Sequence, residues 1–290
     1  MSKSESSVSI GLPVYNGEKF IRNAIDSILS QSYKFFELII SDNASTDSTQ
    51  EICLEYAKND NRIKYFRQKK NIGILLNHEF VLSKSIFKYF LWIAADDIRH
   101  STFLEKNVIF LENNKDYVGS ISEIKFFQNL PDDWKLMVKN TQPENFTKGM
   151  NVQSITGTYS SRINILLKLR KESGVLGVYR TEVLKKCFDT DEIYLWAYLL
   201  LLKLVKFGQI NVIDEVLMHE YQYGESGLGN PLSERLNSKM PLKYILFPHL
   251  NFTIWCLRNL GKSTITKNFL LIVRYFLQGQ LQLLIDFLKK

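Results

Sequence analysis

Cysteine is scarce in this sequence of 290 residues, which contains only three. Cys53, Cys187 and Cys256 are far apart along the chain, so none of them belongs to a closely spaced metal-ligand pair. Dispersed thiols without such spacing are typical of proteins that stay reduced. We therefore expect free thiols and a reducing compartment.

Long apolar runs are also missing. No stretch reaches the roughly 18 uninterrupted apolar residues of a membrane-spanning helix, since the longest run, Ile193–Leu202, stops at Lys203. The first seven residues are polar and lead directly into a predicted strand, so we expect no signal peptide. These absences indicate a cytoplasmic protein, either free or peripheral on the inner face of a membrane.

The composition indicates a folded, basic protein. Hydrophobic residues make up 45% of the chain, enough for one large or two small domains. The formal net charge is +7 and the pI about 9.1, which suits anionic partners such as nucleotide phosphates, phospholipid head groups or nucleic acid. Nothing except charge supports nucleic acid, so we expect no nucleic-acid partner.

The first hundred residues alternate between strand-like and helix-like segments. This β-α-β-α-β-α-β order predicts an α/β fold with a mostly parallel central sheet. Polar or aromatic residues follow three of the predicted strands, at Tyr15, Asp42 and Asp96-Asp97. Ligands of such sheets bind outside the carboxyl ends of the strands, so these residues are expected to converge on one crevice.

Asp96 and Asp97 end an apolar run, Tyr89–Ile93, that predicts a strand buried on both faces. Adjacent carboxylates at a buried strand end repel each other, and a hard divalent cation compensates that repulsion. The pair therefore indicates a Mg²⁺ or Mn²⁺ site beside a phosphate. An exposed acidic loop, with Asp97 capping the next helix, remains the alternative.

The second half of the chain follows a less regular pattern. One or two strands are predicted at Val118–Phe127, a polar loop at Gln128–Met150 and a buried helix at Ile193–Phe207. Two further strands are predicted at Gln209–Ile213 and Val216–Tyr223, and at least two helices follow Pro241.

Several segments of the first half resemble one protein family. They are Val8–Gly17, Gln31–Tyr33, Phe36–Asp47, Asn71–Gly73 and Ala94–Asp97. In this order and spacing they are similar to the inverting family 2 glycosyltransferases of GT-A fold, over roughly residues 8 to 113.

The resemblance implies transfer of a sugar from a nucleotide-diphosphate donor, with Mn²⁺ or Mg²⁺, to a glycan or lipid-linked acceptor in surface polysaccharide or glycoconjugate synthesis. It implies a nucleotide-sugar-binding half at 1–115, an acceptor-binding half at 116–230 and a C-terminal helical extension at 231–290. Asp97 would then ligate the metal, and Asp96 would contact the ribose or the metal shell.

The resemblance also implies how the nucleotide is held. Asp42 would accept a hydrogen bond from an N–H of the base, and Tyr15 with Pro13 would pack against the base. Asn71 would belong to the donor-binding loop. Lys69 and Lys70, just before it, suit phosphates, although a solvated basic loop explains them equally well.

The general base is where the sequence departs from the family pattern. Inverting transfer needs a base for the acceptor hydroxyl, and the usual spacing falls near Trp196 or Ala197, neither of which carries a carboxylate. Asp191 and Glu192 are the nearest candidates, with Asp191 preferred because it precedes the apolar helix. Alternatively, both residues only place negative charge at the first turn of that helix, where it interacts favourably with the helix dipole.

Two other functions compete with the glycosyltransferase. A chain without the base would be a catalytically degenerate nucleotide-sugar-binding or scaffold protein on the same fold. A nucleotidyltransferase is disfavoured because no glycine-rich, basic phosphate loop follows the first strand. His219, in a predicted strand, could reach the metal or be structural.

The tail from Asn268 to Leu288 is amphipathic, and Lys289-Lys290 ends the sequence. One interpretation is an interfacial helix on anionic lipid, which would give contact with a membrane surface. Docking on the domain or on a second subunit explains the pattern equally well.

Overall fold

A computed structural model describes residues 6–127, 152–169, 173–189, 196–221, 246–247 and 249–288. Its strands are β1 (Val8–Val14), β2 (Phe36–Asp42), β3 (Ile63–Arg67), β4 (Tyr89–Trp92), β5 (Ile98–Arg99), β6 (Tyr117–Phe127), β7 (Val178–Arg180) and β8 (Gln209–Tyr221). Its helices are α1 (Ile21–Leu29), α2 (Thr49–Asn59), α3 (Ile74–Lys84), α4 (Phe103–Asn113), α5 (Tyr159–Leu169), α6 (Thr181–Cys187), α7 (Trp196–Leu204), α8 (Leu250–Asn259) and α9 (Lys262–Leu288). The predicted loop Gln128–Met150 lies outside the described residues.

The eight strands form one sheet in the order β3-β2-β1-β4-β7-β6-β8-β5. β1 runs parallel to β2 and β4, β2 to β3, and β6 to β8. β7 is antiparallel to both β4 and β6, and β5 is antiparallel to β8. The predicted α/β fold with a mostly parallel sheet is confirmed, and β7 joins the two parallel parts.

Two hydrophobic cores lie on opposite faces of this sheet, because side chains alternate along each strand. Leu38 and Ile40 of β2 enter one core, with residues of α1, α2 and α4. Ile39 and the aromatic pair Phe90 and Trp92 enter the other, with residues of α3 and α5 to α9. Helices on both faces explain why every residue of β2 and β4 is buried.

The last long strand differs from the sequence prediction. Two strands, Gln209–Ile213 and Val216–Tyr223, were expected, but β8 is continuous from Gln209 to Tyr221. Its polar residues Asp214 and Glu215 are exposed at shifts in the register with β6. A β-bulge lets a strand continue through such residues by turning them to solvent, so the prediction of two strands was wrong.

The predicted C-terminal helices are confirmed as α8 and α9. α9 packs against α5, where Asn164 Nδ2 donates to Asn268 Oδ1 at 2.8 Å. Its Tyr275 ring stacks on Tyr198 of α7, with 5.3 Å between the centroids. No helix in the described part of the chain has the length and apolar character needed to cross a membrane.

Gly119 of β6 tests how tightly the sheet is packed around β7. A Cβ at this position would overlap the ring of Tyr179, which is fully buried and held by its hydroxyl bond to the Gly174 carbonyl. We expect Gly119→Ala to lower the free energy of unfolding by about 1–3 kcal/mol, the usual cost of overpacking. Urea denaturation would measure this change.

Gly261→Ala is the matched control, because a Cβ at Gly261 would meet no atom within 4 Å. Equal stability of the two variants would show that the ring of Tyr179 gives way, contrary to the packing described.

Candidate active site

Hydrogen bonds join the loops that follow β1 and β2. The Asn16 amide donates to Ser45 Oγ at 2.9 Å, and the Thr46 amide donates to Asn16 Oδ1 at 2.8 Å. Asn16 and Ala44 have φ angles of 51° and 61°, a region that residues other than glycine seldom occupy. A conformation of this kind persists where surrounding contacts over-determine it, so these bonds give the sheet a rigid carboxyl edge.

Asp42 is the centre of the hydrogen bonding at this edge. Its buried carboxylate accepts from the Ser45 amide at 2.8 Å, from the Tyr65 hydroxyl at 2.7 Å and from Arg67 Nη1 at 2.8 Å. Burial raises the pKa of Tyr65, and the bond to Asp42 raises it further. A carboxylate has about four acceptor positions, so these three donors leave one position unfilled on a side chain that is 0% exposed.

Tyr65 and Arg67 were not identified from the sequence. They lie two residues apart on β3 and so point to the same side of the strand, next to Asp42 in the sheet register. This spacing is a signal that could have been recognised once β2 and β3 were taken as neighbours.

Tyr15 lies beside Asp42, because Val14 is the register partner of Asp42. The Tyr15 side chain is 42% exposed, which is unusual for a large aromatic residue next to a packed edge. Pro13 is half-buried opposite Ser41. The predicted convergence of the β1 and β2 ends therefore agrees with the register of the strands.

Asn71 has a structural part in the loop after β3. Its side-chain oxygen accepts from Asn43 Nδ2 at 3.0 Å and from the Gly73 amide at 2.9 Å. These bonds tie the loop to the β2 edge, and the neighbouring Lys69 and Lys70 are exposed. Donor binding by Asn71 stays a prediction.

The two carboxylates after β4 have different surroundings. Asp97 is only 4% exposed, and Oδ2 lies 3.4 Å from both Nη atoms of the fully buried Arg99. Asp96 is half-buried. Burial raises the pKa of both carboxyl groups, and Arg99 opposes the shift in each case. Asp96 is therefore the carboxylate that is open to solvent, and Asp97 is held internally.

A third carboxylate, Glu220, comes from β8, more than a hundred residues later in the chain. β5 pairs with β8 so that Ile98 lies opposite His219, which brings Glu220 close to the Asp96-Asp97 segment. Burial raises the pKa of Glu220 to about 7, Arg99 opposes the shift, and Asp96 adds to it. Burial lowers the pKa of the neighbouring His219 to about 4. Glu220 was not identified from the sequence, because no local pattern reveals a contact between residues more than a hundred positions apart.

This cluster suits a divalent cation. Three carboxylates face one guanidinium, and Glu220 Oε1 has no hydrogen-bond partner within the described ranges, so the cluster has excess negative charge. No group of three or more His, Cys, Asp or Glu side chains among the described residues is arranged to hold a metal. Mg²⁺ commonly binds one or two carboxylates together with substrate phosphates and water, and such a site needs no third protein ligand.

Aromatic rings fill the space between β4 and the start of α7. Trp92, at the end of β4, lies 6.1 Å from Trp196 and 5.5 Å from Phe188 between ring centroids. His78 of α3 lies 5.0 Å from Trp196. Its Nδ1 is 2.9 Å from the Ile74 carbonyl, and burial lowers its pKa to about 4. These contacts hold the first described residue of α7 next to the strand that leads to Asp96.

The candidate bases Asp191 and Glu192 lie outside the described residues. The structure does describe a nearby carboxylate, Asp189, which is exposed and lies 3.6 Å from Lys203 Nζ. Its ion pair is with α7, so it has a structural explanation.

Solved structures of similar fold include S. aureus TarS 1–349 in complex with UDP-GlcNAc. The superposed region covers 94% of this chain and 81% of the TarS chain, with a TM-score of 0.61 and 18% sequence identity. Another is the mannosyltransferase PcManGT from Pyrobaculum calidifontis in complex with GDP-Man and Mn²⁺. Here the superposed region covers 97% of this chain and 86% of the PcManGT chain, with a TM-score of 0.55 and 14% sequence identity. These likenesses concern the fold, which is the predicted GT-A type of α/β architecture.

A family model described as Glycosyl transferase family 2 matches residues 9–188. The chain therefore belongs to glycosyltransferase family 2. Among curated relatives, a putative glycosyltransferase of Bacillus subtilis, EpsE, is 40% identical over 111 residues. That alignment covers 38% of this chain and 40% of EpsE, so the chain matches about two fifths of that relative's length.

The buried charges can be tested through stability. Arg99→Met would leave the Asp97 and Glu220 carboxylates without their common cation, and breaking a buried pair typically costs about 3–5 kcal/mol. We expect a loss of that order in the free energy of unfolding at neutral pH, measured by chemical denaturation. Adding Glu220→Gln to this variant should restore part of the lost free energy of unfolding. No recovery would show that Glu220 does not interact electrostatically with Arg99.

Proposed function

We propose that this chain transfers a sugar from a nucleotide-diphosphate donor to a glycan or lipid-linked acceptor, with inversion at the anomeric carbon. The observation that carries this proposal is the parallel register of β1 with β2 and β4, whose carboxyl ends lie at one edge of the sheet. Tyr15, Asp42 and the Asp96-Asp97 pair lie at or follow those ends. Family membership supports the reaction class. Synthesis of a surface polysaccharide or glycoconjugate is the setting proposed.

The nucleobase is proposed to lie against Tyr15 and Pro13 and to donate to the remaining acceptor position of Asp42. An exposed aromatic ring beside a carboxylate suits a base that offers both a flat face and an N–H. TarS in complex with UDP-GlcNAc and PcManGT in complex with GDP-Man are structures of similar fold. They support a nucleotide sugar as the donor, with either base.

The diphosphate is proposed to meet a divalent cation, Mn²⁺ or Mg²⁺, held by Asp96 and Asp97. The resemblance implies that Asp97 ligates the cation and that Asp96 contacts the ribose or the metal shell. Because Asp96 is the more exposed of the two and Asp97 is paired with Arg99, we propose instead that Asp96 makes the direct contact and that Asp97 supports it from inside. When bound, the cation would neutralise charge that develops on the leaving diphosphate. PcManGT in complex with Mn²⁺ supports this assignment.

The acceptor hydroxyl is proposed to lose its proton to Asp191, with Glu192 as the second choice. The hydroxyl oxygen then forms a bond to the anomeric carbon, while the bond from that carbon to the diphosphate oxygen breaks. The position of Trp196 beside Trp92 supports this role, because α7 begins close to the strand that leads to Asp96.

The cation and Asp96 can be tested together by calorimetry with UDP and GDP. We expect binding with Mn²⁺ and little binding with EDTA. Asp96→Asn should weaken it by about 1.5–3 kcal/mol, the scale of an interaction with a charged group. Asp214→Asn, at an exposed carboxylate of β8, is the matched control. Equal affinity with EDTA and with Mn²⁺ would contradict the cation site.

The base can be tested through turnover. With water as the acceptor, Asp191→Asn should lower the rate of nucleotide-sugar hydrolysis by about 10²–10⁴-fold, the usual contribution of a general base. Donor affinity should stay unchanged, since the base contacts only the acceptor. Glu192→Gln should have a smaller effect. A wild-type chain that binds the donor but shows no turnover with any acceptor would instead be a nucleotide-sugar-binding protein.

A further inference from the structure

One side of α9 packs on the domain, and the opposite side presents leucines to solvent. The docked side consists of Thr264, Asn268, Ile272, Tyr275 and Gly279. Each residue turns the helix by about 100°, so a second row falls on the opposite side. This row, the leucine stripe, is Leu270 (80% exposed), Leu277 (58%), Leu281 (57%), Leu284 (55%) and Leu288 (74%).

The leucine stripe is continuous enough to indicate an interaction surface. Its first and last leucines, Leu270 and Leu288, are eighteen positions apart, which is about 27 Å of helix at 1.5 Å per residue. Isolated exposed leucines need no explanation, but a contiguous apolar row on a helix marks a binding surface. α9 is already anchored by Asn268 and Tyr275, so the stripe serves something outside the described fold.

The charges beside the stripe identify the partner. Lys267 and Arg274 are exposed and lie along one edge of the leucine stripe by the same helical geometry. From Lys262 to the end of the sequence there are five basic residues and one acidic residue. An apolar face with a basic border is the pattern of helices that lie in the interface of an anionic membrane.

A second copy of the chain fits the stripe less well. Paired helices of one sequence are usually held by opposite charges beside the apolar seam. The described residues that border the leucine stripe carry Lys267 and Arg274 and no acidic side chain, so a paired copy would add like charges. Anionic head groups would complement them.

We propose that α9 binds the surface of a bilayer containing anionic lipid. The leucine stripe enters the boundary between head groups and acyl chains, and Lys267 and Arg274 contact lipid phosphates. The inference depends on the exposure and charge of α9 and not on the proposed reaction, so failure of one leaves the other standing.

The test is co-sedimentation of the full chain with vesicles of phosphatidylcholine alone or with one third phosphatidylglycerol. We expect binding to the anionic vesicles, weaker binding as salt rises, and little binding to phosphatidylcholine alone. Equal binding to both vesicle types, or no binding to anionic vesicles, would overturn the proposal.

Two variants separate the contributions of the stripe and the charges. Leu277→Gln with Leu281→Gln and Leu284→Gln should reduce binding at least tenfold. Lys267→Glu with Arg274→Glu should reduce it about fivefold or more for each charge and abolish the preference for anionic vesicles. Because all five side chains are exposed, the thermal unfolding midpoint should not change, which excludes misfolding as the cause.

Ile86→Gln with Ile109→Gln is the matched control. Both isoleucines are exposed and lie away from α9, Ile86 in the loop after α3 and Ile109 in α4. This control should bind vesicles like the wild type, and an equal loss would overturn the assignment to α9. Light scattering without vesicles provides the last check. If the wild type is a dimer and the leucine variant is a monomer, the leucine stripe binds a second copy of the chain, and the membrane proposal is overturned.

Discussion

The balance of charge behind β4 is the constraint on which the site depends. Asp96, Asp97 and Glu220 carry three carboxyl groups into a region where Arg99 is the fully buried cation. Burial pushes the pKa of each carboxyl group upward, and Arg99 holds each of them down. The cluster is therefore poised to accept positive charge, which is what a diphosphate-binding site with a divalent cation requires.

The other side of the crevice is organised by a dense set of hydrogen bonds within the protein. Asp42 accepts one bond from the Ser45 amide in the loop after β2 and two from side chains of β3. The loops after β1 and β2 are joined by a hydrogen bond between Asn16 and Ser45. A group held by several bonds on rigid elements keeps its geometry when a ligand binds. The two sides of the crevice therefore differ. The Asp42 side is rigid and extensively hydrogen-bonded, whereas the side with Asp96, Asp97 and Glu220 has unbalanced charge.

Much of the first half could be predicted because its signals are local. Apolar strands, polar strand ends and helical spacing lie within a few residues of each other, and they led to the parallel sheet and to the position of Tyr15 beside Asp42. The same reasoning divided β8 into two strands, because Asp214 and Glu215 look like a loop until a bulge turns them to solvent. A local pattern does not reveal how a neighbouring strand absorbs an irregularity.

By itself, the sequence determined the α/β architecture, the family and the residues at the strand ends, because these depend on local periodicity and short motifs. Only the tertiary structure decided that Asp97 is paired with Arg99 while Asp96 is open, and that Glu220 joins them from β8. It likewise decided which face of α9 is docked and which leucines remain exposed. Burial and charge pairing depend on contacts between distant segments, and those contacts exist only once the sheet and its helices have packed.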